Sequence, residues 1–518
     1  MKLQPLDGLL SVRTFADAFI GLFMGYALCI VLGGLRNWYF HPLSRYPGPR
    51  WAAFSTWWKA NLEVFQGKNL AEELVKLHAI YGDVVRIGPN ELHFSSPEVY
   101  HEIYNSRNRW SRDPSLYHVF AMSLSLLTMM DYPSAKKRRD ILQPLFSHKA
   151  IQDLQHLVQA KADDMCNNFE RIAKQGKSVD IYRAFRCFVV DSITSFCFGT
   201  SQKATEAPDF VAPLVESMHA SMNELHTIIR FPLLKKFEEN LPGAVVSFLQ
   251  PKLKGLLDMR QSLKHQVAAM LKHPEILLNA PHPTIFHELL NEEHAGHKIP
   301  TFTQLRDEAL LMVFAGTDTV SNTHVFATMH VLDNPDVHMK LKSELLQAWP
   351  KLNDRPSYGE LESLPYMRAV IKEALRLGGG PWTPLTRIVP QEGARLGGHF
   401  VPGGSIVGMS SKMVHLDPCI FPDPLTFKPE RWLESHPKSD EAQHGLDHWL
   451  VSFGKGPRGC LAPNLAWCEL ILGLANVFRR FDLELTDGMR PSKMVWVERF
   501  TPHYTGPPMR VRVTPRSD

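Results

Sequence analysis

A cysteine held in a glycine-rich stretch near the C-terminal end constrains this chain more than any other feature: Phe453-Gly454-Lys455-Gly456-Pro457-Arg458-Gly459-Cys460-Leu461-Ala462. The glycines admit backbone shapes closed to other residues, so the stretch reads as a tight loop. Pro463 follows, where a first helical turn loses nothing by its missing N–H, and an apolar run with few charges continues from it. Amides at a helix start stabilise negative charge, which places Cys460 to be a thiolate. The competing reading is a small buried thiol in a turn, the usual state of an isolated cysteine.

The remaining cysteines are Cys29, Cys166, Cys187, Cys197, Cys419 and Cys468. The total is odd and no CxxC pair occurs, so neither a disulfide framework nor a zinc site is indicated. That fits a protein body in a reducing compartment. A net charge of +4 over 518 residues implies no polyelectrolyte partner, and basic patches interleaved with aromatics are lacking, which argues against nucleic acid. His282, His287, His294 and His297 fall in one loop-rich stretch but match no zinc spacing, and a solvated surface loop is expected there.

The N-terminus differs in kind. Ala18 to Leu35 carries no charge, and Phe15 to Leu35 is long enough to span a bilayer if Asp17 lies near the interface. Arg36, Arg45 and Arg50 follow, with Trp38, Tyr39 and Phe40 at headgroup level, which puts the body on the cytoplasmic side. A cleaved signal peptide fits less well, because the basic flank lies after the apolar run. A buried core helix is the other alternative. His41 to Arg50 contains three prolines and reads as a stiff, extended hinge.

Beyond it, Asp83–Ile87 and Glu91–Phe94 flank Gly88-Pro89-Asn90 as a hairpin. Helical spacing covers Leu70–Tyr81, Ile151–Lys174 and Ala184–Phe198. Helices are also expected over Thr303–Asn334, stopped by Pro335, and over Leu361–Leu377, ended by Gly378-Gly379-Gly380. Arg387-Ile388-Val389 and Gly398–Val407 read as strands with turns at glycines. The pattern is mainly α with small β-sheets, and no linker follows residue 50.

The Cys460 stretch resembles the haem-binding loop FxxGxRxCxG of the cytochrome P-450 family, with Ala462 in place of the last glycine. Three further motifs agree. Ala315-Gly316-Thr317-Asp318-Thr319 resembles the AGxDT oxygen-activation motif; read alone, it is equally a helix opening without chemistry. Glu373-Ala374-Leu375-Arg376 resembles ExxR, and Pro429-Glu430-Arg431-Trp432 resembles PERF with Trp for Phe; alone, each is a surface charge pair. Ala135-Lys136-Lys137-Arg138-Arg139 with Phe146-Ser147 resembles the helix crossing one haem face, with Ala135 where many members carry Trp or His. That basic run reads equally as a propionate contact, a docking surface for an acidic reductase or a solvated helix face.

The resemblance implies one catalytic domain over residues 51–518, behind an anchor (1–40) and a hinge (41–50). It implies haem b with Cys460 as axial thiolate, Phe453 over the thiolate side, and Arg458, Arg387 and Arg139 on the propionates. Gly316 and Thr319 would line the oxygen groove, Thr319 delivering protons and Asp318 joining that relay to solvent. Glu373, Arg376 and Arg431 would form a buried network bracing the cysteine loop. Ser111–Met130, Val313–Phe314, Pro381–Leu385 and Phe500–Pro502 would line an apolar substrate pocket, with Trp382 and Phe500 as candidates.

The implied activity is insertion of one atom of O2 into a lipophilic small molecule. Electrons would come from NADPH-cytochrome P-450 reductase, with cytochrome b5 as a further donor, at the endoplasmic reticulum membrane. The hinge and the Phe421–Trp432 stretch look like fungal microsomal members that decorate terpenoid, polyketide or alkaloid scaffolds. Two other readings stand beside it: a haem-thiolate isomerase or dehydratase needing no electrons, and a haem binder without catalysis.

Overall fold

The computed structural model describes residues 7–117, 122–231, 245, 254–273, 275–278, 280, 282–291, 298–433 and 445–517. The labelled helices are α1 (Asp7–Tyr39), α2 (Tyr132–Leu142), α3 (His148–Lys174), α4 (Ile181–Phe198), α5 (Phe302–Asp333), α6 (Pro365–Gly378) and α7 (Pro463–Arg480). The strands are β1 (Val84–Gly88), β2 (Glu91–Phe94), β3 (Val179–Asp180), β4 (Arg387–Ile388), β5 (Ala394–Leu396), β6 (His399–Val401), β7 (Ile406–Gly408), β8 (Phe481–Leu485), β9 (Trp496–Arg499), β10 (Thr501–Tyr504) and β11 (Arg510–Pro515).

Helix α5 is the axis of the body. A capping box starts it: Gln304 N–H donates to Thr301 Oγ1 at 3.3 Å, and Thr301 N–H donates to Gln304 Oε1 at 2.8 Å. Asn334 ends it and caps the next helix, where Val337 N–H donates to its side chain. Helix α5 is apolar on several faces because α4, α6 and α7 pack around it, while α3 packs on α7. The sheets sit at the edges. The largest has strand order β1-β2-β7-β4, with β2 and β7 parallel and the other pairs antiparallel. The hairpin expected around Gly88-Pro89-Asn90 is there. Hairpin β9–β10 turns at Phe500, and β3-β11-β8 form a third sheet.

Three expectations need correction. Leu361–Leu377 is two helices, because Pro365 forces Leu364 into extended backbone (φ −69°, ψ 114°). The preceding short helix, Tyr358–Glu362, has its own capping box from Ser357 and Glu360. The His41–Arg50 segment is turned rather than extended, with Ser44 N–H on His41 O and Tyr46 N–H on Leu43 O. Of the four loop histidines, His294 and His297 lie outside the described residues, and His282 is buried against Phe196 rather than solvated.

Helix α1 is exposed through its apolar length: Phe19, Leu22, Phe23 and Met24 are each at least 66% accessible. An 18-residue window within Asp17–Tyr39 has a mean hydropathy of 2.2. A helix this long and apolar, bare of partners, fits a membrane anchor. Its C-terminal end docks on the body. Buried Arg86 donates to Asn37 O at 2.8 Å, and Arg50 lies over the Trp38 ring.

Several buried histidines are held neutral. Burial pushes His226 down to about 4, His415 down to about 3, and His93 well below its ordinary range. Each binds no proton in the fold at a pH where the unfolded chain, near 6.5, binds one. Folding stability is therefore intact above pH 6.5 and falls as pH drops from there toward the depressed values. The urea midpoint of the purified protein should decrease steadily between pH 7 and pH 5; a flat profile over that interval would contradict the assignment.

Candidate haem-thiolate site

The cysteine loop is closed by its own backbone. Cys460 N–H donates to Phe453 O at 2.8 Å and Gly459 N–H to Gly456 O at 3.0 Å. Gly456 has φ 70°, and a Cβ there would lie 2.4 Å from Tyr104 O, so only glycine fits. Cys460 Sγ accepts from Ala462 N–H at 3.4 Å, just before α7 begins. Burial pushes the Cys460 thiol up, while that N–H and the Arg139 charge pull it back toward the thiolate. The sulfur's exposed face opens into a cavity of about 290 Å³.

Arg139 reaches the loop but not as expected. Its Nη1 donates to Gly459 O at 2.7 Å and its Nη2 to Cys460 O at 3.1 Å, so it clamps the cysteine's own backbone. Ala135 sits one turn earlier on α2 and lines the same cavity, with no polar atom to offer.

Behind the loop lies the charge network, fully inside the protein. Glu373 accepts from Arg376 Nε at 2.9 Å and Nη2 at 2.7 Å, and from Arg431 Nε at 3.0 Å. Arg376 also donates to the carbonyls of His415, Pro424 and Thr426, and Arg431 to Pro422 O. Burial would raise the Glu373 carboxyl, but Arg376 and Arg431 hold it below the usual carboxylate range. Trp432, the departure from the PERF pattern, donates its indole N–H to Glu373 Oε2 at 2.9 Å, a contact Phe could not make. The network connects to the cysteine loop at two points. His415 Nε2 accepts from Val451 N–H at 2.9 Å, and Ser452 Oγ donates to Leu375 O at 2.8 Å.

Across the cavity stands the middle of α5, where Ala315, Gly316 and Thr319 line the wall. The local helix opening expected there is not present; α5 is continuous. Thr319 Oγ1 instead donates to Ala315 O at 2.9 Å, sharing an acceptor with the helix ladder. A Cβ on Gly316 would come within 3.1 Å of Ile193, so a small residue lets α4 and α5 approach there. Asp318 does not itself reach solvent. It is 2% exposed, ion-paired with Arg186 of α4, and accepts from Thr501 Oγ1 at 2.8 Å.

Arg112 and Arg458 line the cavity, and Arg387 lies close enough for its charge to act on both. Arg458 donates from Nη2 to the carbonyls of Met129, Met130 and Asp131. Arg387 begins β4 and donates to Tyr117 Oη at 3.2 Å. Arg112 bridges Arg387 through the backbone and donates to Leu126 O at 3.1 Å. Burial, joined by the charge of Arg387, holds Arg112 down to about 9 and Arg458 down to about 10. Arg458 Nε and Nη1 and Arg112 Nε are buried without a partner, and no described carboxylate forms an ion pair with any of the three. Such a cluster needs a multiply charged anion. Sequence reading missed Arg112; its pairing with Arg387 spans most of the chain and leaves no local signal.

The remaining wall is apolar: Leu126, Leu127, Met312, Phe314, Leu385 and Phe500. Trp382 does not line it. It is buried 28 residues before Ser410, whose Oγ donates to its carbonyl, with Lys412 Nζ 3.5 Å from its ring centre. Val313 and Pro502 are likewise core rather than wall. Residues 118–121 of the Ser111–Met130 stretch lie outside the described residues.

A sulfur opening on a largely apolar cavity, a hydroxyl-bearing helix in its wall and the uncompensated guanidinium groups of Arg112 and Arg458 fit iron protoporphyrin with its two carboxylates. The family model for cytochrome P450 matches residues 47–502. The chain belongs to the cytochrome P450 family, and its site is that of a haem-thiolate monooxygenase. Among its relatives, the cytochrome P450 monooxygenase flvC of Aspergillus flavus is 30% identical, with 92% of each chain covered. The cytochrome P450 monooxygenase macH of Penicillium terrestre is 32% identical over 90% of this chain and 92% of its own. The tryptophan 6-hydroxylase fscE of Fusarium equiseti is 31% identical over 88% of both.

Proposed function

We propose that this protein oxygenates a lipophilic fungal secondary metabolite, with Cys460 as the axial ligand. The observation that carries the reading is the single cavity that joins the Cys460 sulfur, the Thr319 hydroxyl and the unpaired rim cations. When bound, the haem supplies reductive activation of O2 and transfer of one oxygen atom to the substrate. Around it, Cys460 gives the thiolate, and the Ala462 N–H and the Arg139 clamp fix where that sulfur sits. Phe453 walls the sulfur side of the cavity, and Gly316 keeps the α5 side close and uncrowded. Arg112, Arg387 and Arg458 hold the two propionates. Thr319 carries a proton at Oγ1, parked on Ala315 O, from which it can turn toward the cavity. Asp318 holds the adjoining turn through Arg186 and Thr501.

The body stands on the cytoplasmic face of the endoplasmic reticulum, behind residues 1–40 as anchor and 41–50 as hinge. Electrons come from an NADPH-dependent flavoprotein reductase, with cytochrome b5 as a second donor. The exposed Lys136 and Lys137 lie on α2, the helix whose Arg139 clamps the cysteine loop, and they give an acidic reductase a docking face close to the sulfur. Names of the fungal relatives, a cytochrome P450 monooxygenase and a tryptophan 6-hydroxylase among them, support an oxygenation.

Co-expression with a fungal reductase, followed by metabolite profiling of the host, tests the reading. New products that gain one oxygen atom and disappear when the reductase is omitted are expected. Products of unchanged oxidation level that form without reductase would instead assign an isomerase or dehydratase.

A further inference from the structure

The cavity lining includes a further arginine, Arg499, that neither the haem nor the loop accounts for. Arg499 closes strand β9 and, with Phe500 and Thr501, forms the hairpin tip that reaches the middle of α5. It lies on the Thr319 side of the cavity. Its electrostatic neighbours are Glu63, Glu224 and Glu498, and none of these acts on the propionate cluster of Arg112, Arg387 and Arg458.

Two bonds fix its guanidinium, both through Nη1: to Glu498 O at 2.8 Å and to His226 Nδ1 at 3.1 Å. His226 is buried and neutral, so it accepts that bond without competing charge. The nearby acids are occupied. Glu63 is ion-paired with Arg230, and Glu498 takes the Thr383 hydroxyl at 2.5 Å and Ala71 N–H at 2.7 Å. Among the described residues, no carboxylate is within ion-pair distance of Arg499, its Nη2 makes no bond, and its Nε is buried with no acceptor. Nη2 keeps free N–H donors of the kind that take a carboxylate oxygen. Leaving that guanidinium without a counter-charge in a cavity whose lining includes Met222, Ile193, Leu311, Phe314 and Phe500 costs desolvation free energy that a bound anion returns.

We infer that Arg499 is a substrate-binding residue and that the substrate is a lipophilic carboxylic acid, held by its carboxylate at the β9–β10 tip with its apolar body toward Thr319. The inference deepens the monooxygenase reading and rests on it for the location of the site.

The test uses full-length holoenzyme and two probes, dodecanoic acid and methyl dodecanoate, titrated at neutral pH while the haem absorption shift is followed. Wild type should bind the acid at least tenfold more tightly than the ester. Arg499→Gln should weaken the acid tenfold or more and leave the ester within twofold, and Arg499→Lys, which keeps the charge, should retain part of the preference. Equal affinity for acid and ester in wild type, no acid binding at all, or equal weakening of both probes in Arg499→Gln would overturn the inference. The carbon monoxide spectrum of the same preparations reports the haem-thiolate site separately, so a failed acid preference with an intact spectrum counts against Arg499 alone.

Discussion

Cys460→Ala is expected to abolish oxygenation completely and to remove the long-wavelength Soret band that a thiolate-ligated, reduced haem gives with carbon monoxide. The loop should survive, because its closing bonds are backbone ones: Cys460 N–H on Phe453 O and Gly459 N–H on Gly456 O. Helix α7 starts from Pro463 and has no dependence on the sulfur. The variant should therefore purify as a folded protein whose far-ultraviolet circular dichroism matches wild type. A preserved long-wavelength band in Cys460→Ala would mean that another group binds the iron. The other cysteines of the body are poorly placed to substitute: Cys166, Cys187, Cys197 and Cys468 are buried, with burial pushing each of their thiols up, and the exposed Cys419 is not among the residues lining the cavity.

Glu373→Gln should be the most damaging change away from the haem. The carboxylate takes five donors, from Arg376 twice and from Arg431, Lys428 N–H and Trp432 once each. An amide offers one acceptor oxygen and turns an NH2 group against donors, and it leaves two buried guanidinium groups without a counter-charge. Breaking a buried ion network by removing one partner costs about 3–5 kcal/mol. Because the network reaches Val451 and Ser452, the loss should appear as poor haem incorporation, measured as haem per polypeptide, and as a fall in thermal midpoint. Glu430→Gln is the contrast. Glu430 pairs with the exposed Lys340, and such pairs are worth about 0–1 kcal/mol, so haem content should stay near wild type. Equal damage from both substitutions would show that the Glu373 network carries no special weight. The Glu373 carboxyl is held below its usual range, so its contribution is present at neutral pH and is lost as pH falls below about 4.5 through the depressed value.

The parts of the site that a sequence exposes are those written in short-range order. The cysteine loop, the α5 motif and the Glu373-to-Arg376 spacing each fit within about three helical turns, and the structure brings all three around one cavity. Strand and helix positions followed from apolar period and from proline and glycine stops, except where Pro365 divides one expected helix into two. What stayed hidden depends on tertiary approach. Arg112 joins the rim only because it pairs with Arg387, 275 positions further along the chain, in a single bridge. Arg139 could be placed near the haem by motif, yet which acceptors its fork takes is decided by how α2 meets the Gly459 and Cys460 carbonyls. Asp318 could be named but not its sealing by Arg186, because α4 carries no signal that one of its arginines faces inward. Trp382 misled because a large aromatic beside a pocket segment looks like lining until its packing on Lys412 is seen.

The joint between α1 and the body sets where a soluble version of this enzyme can be cut. Arg86 is 1% exposed and uses Asn37 O as one of its acceptors, and Gly34 lies so close to Phe54 that a Cβ would sit 2.1 Å from the ring. Trimming the polypeptide at residue 40 deletes that carbonyl and strips the collar around Phe54. A shortened gene that begins a few codons upstream of Gly34 keeps both contacts while discarding most of the greasy rod.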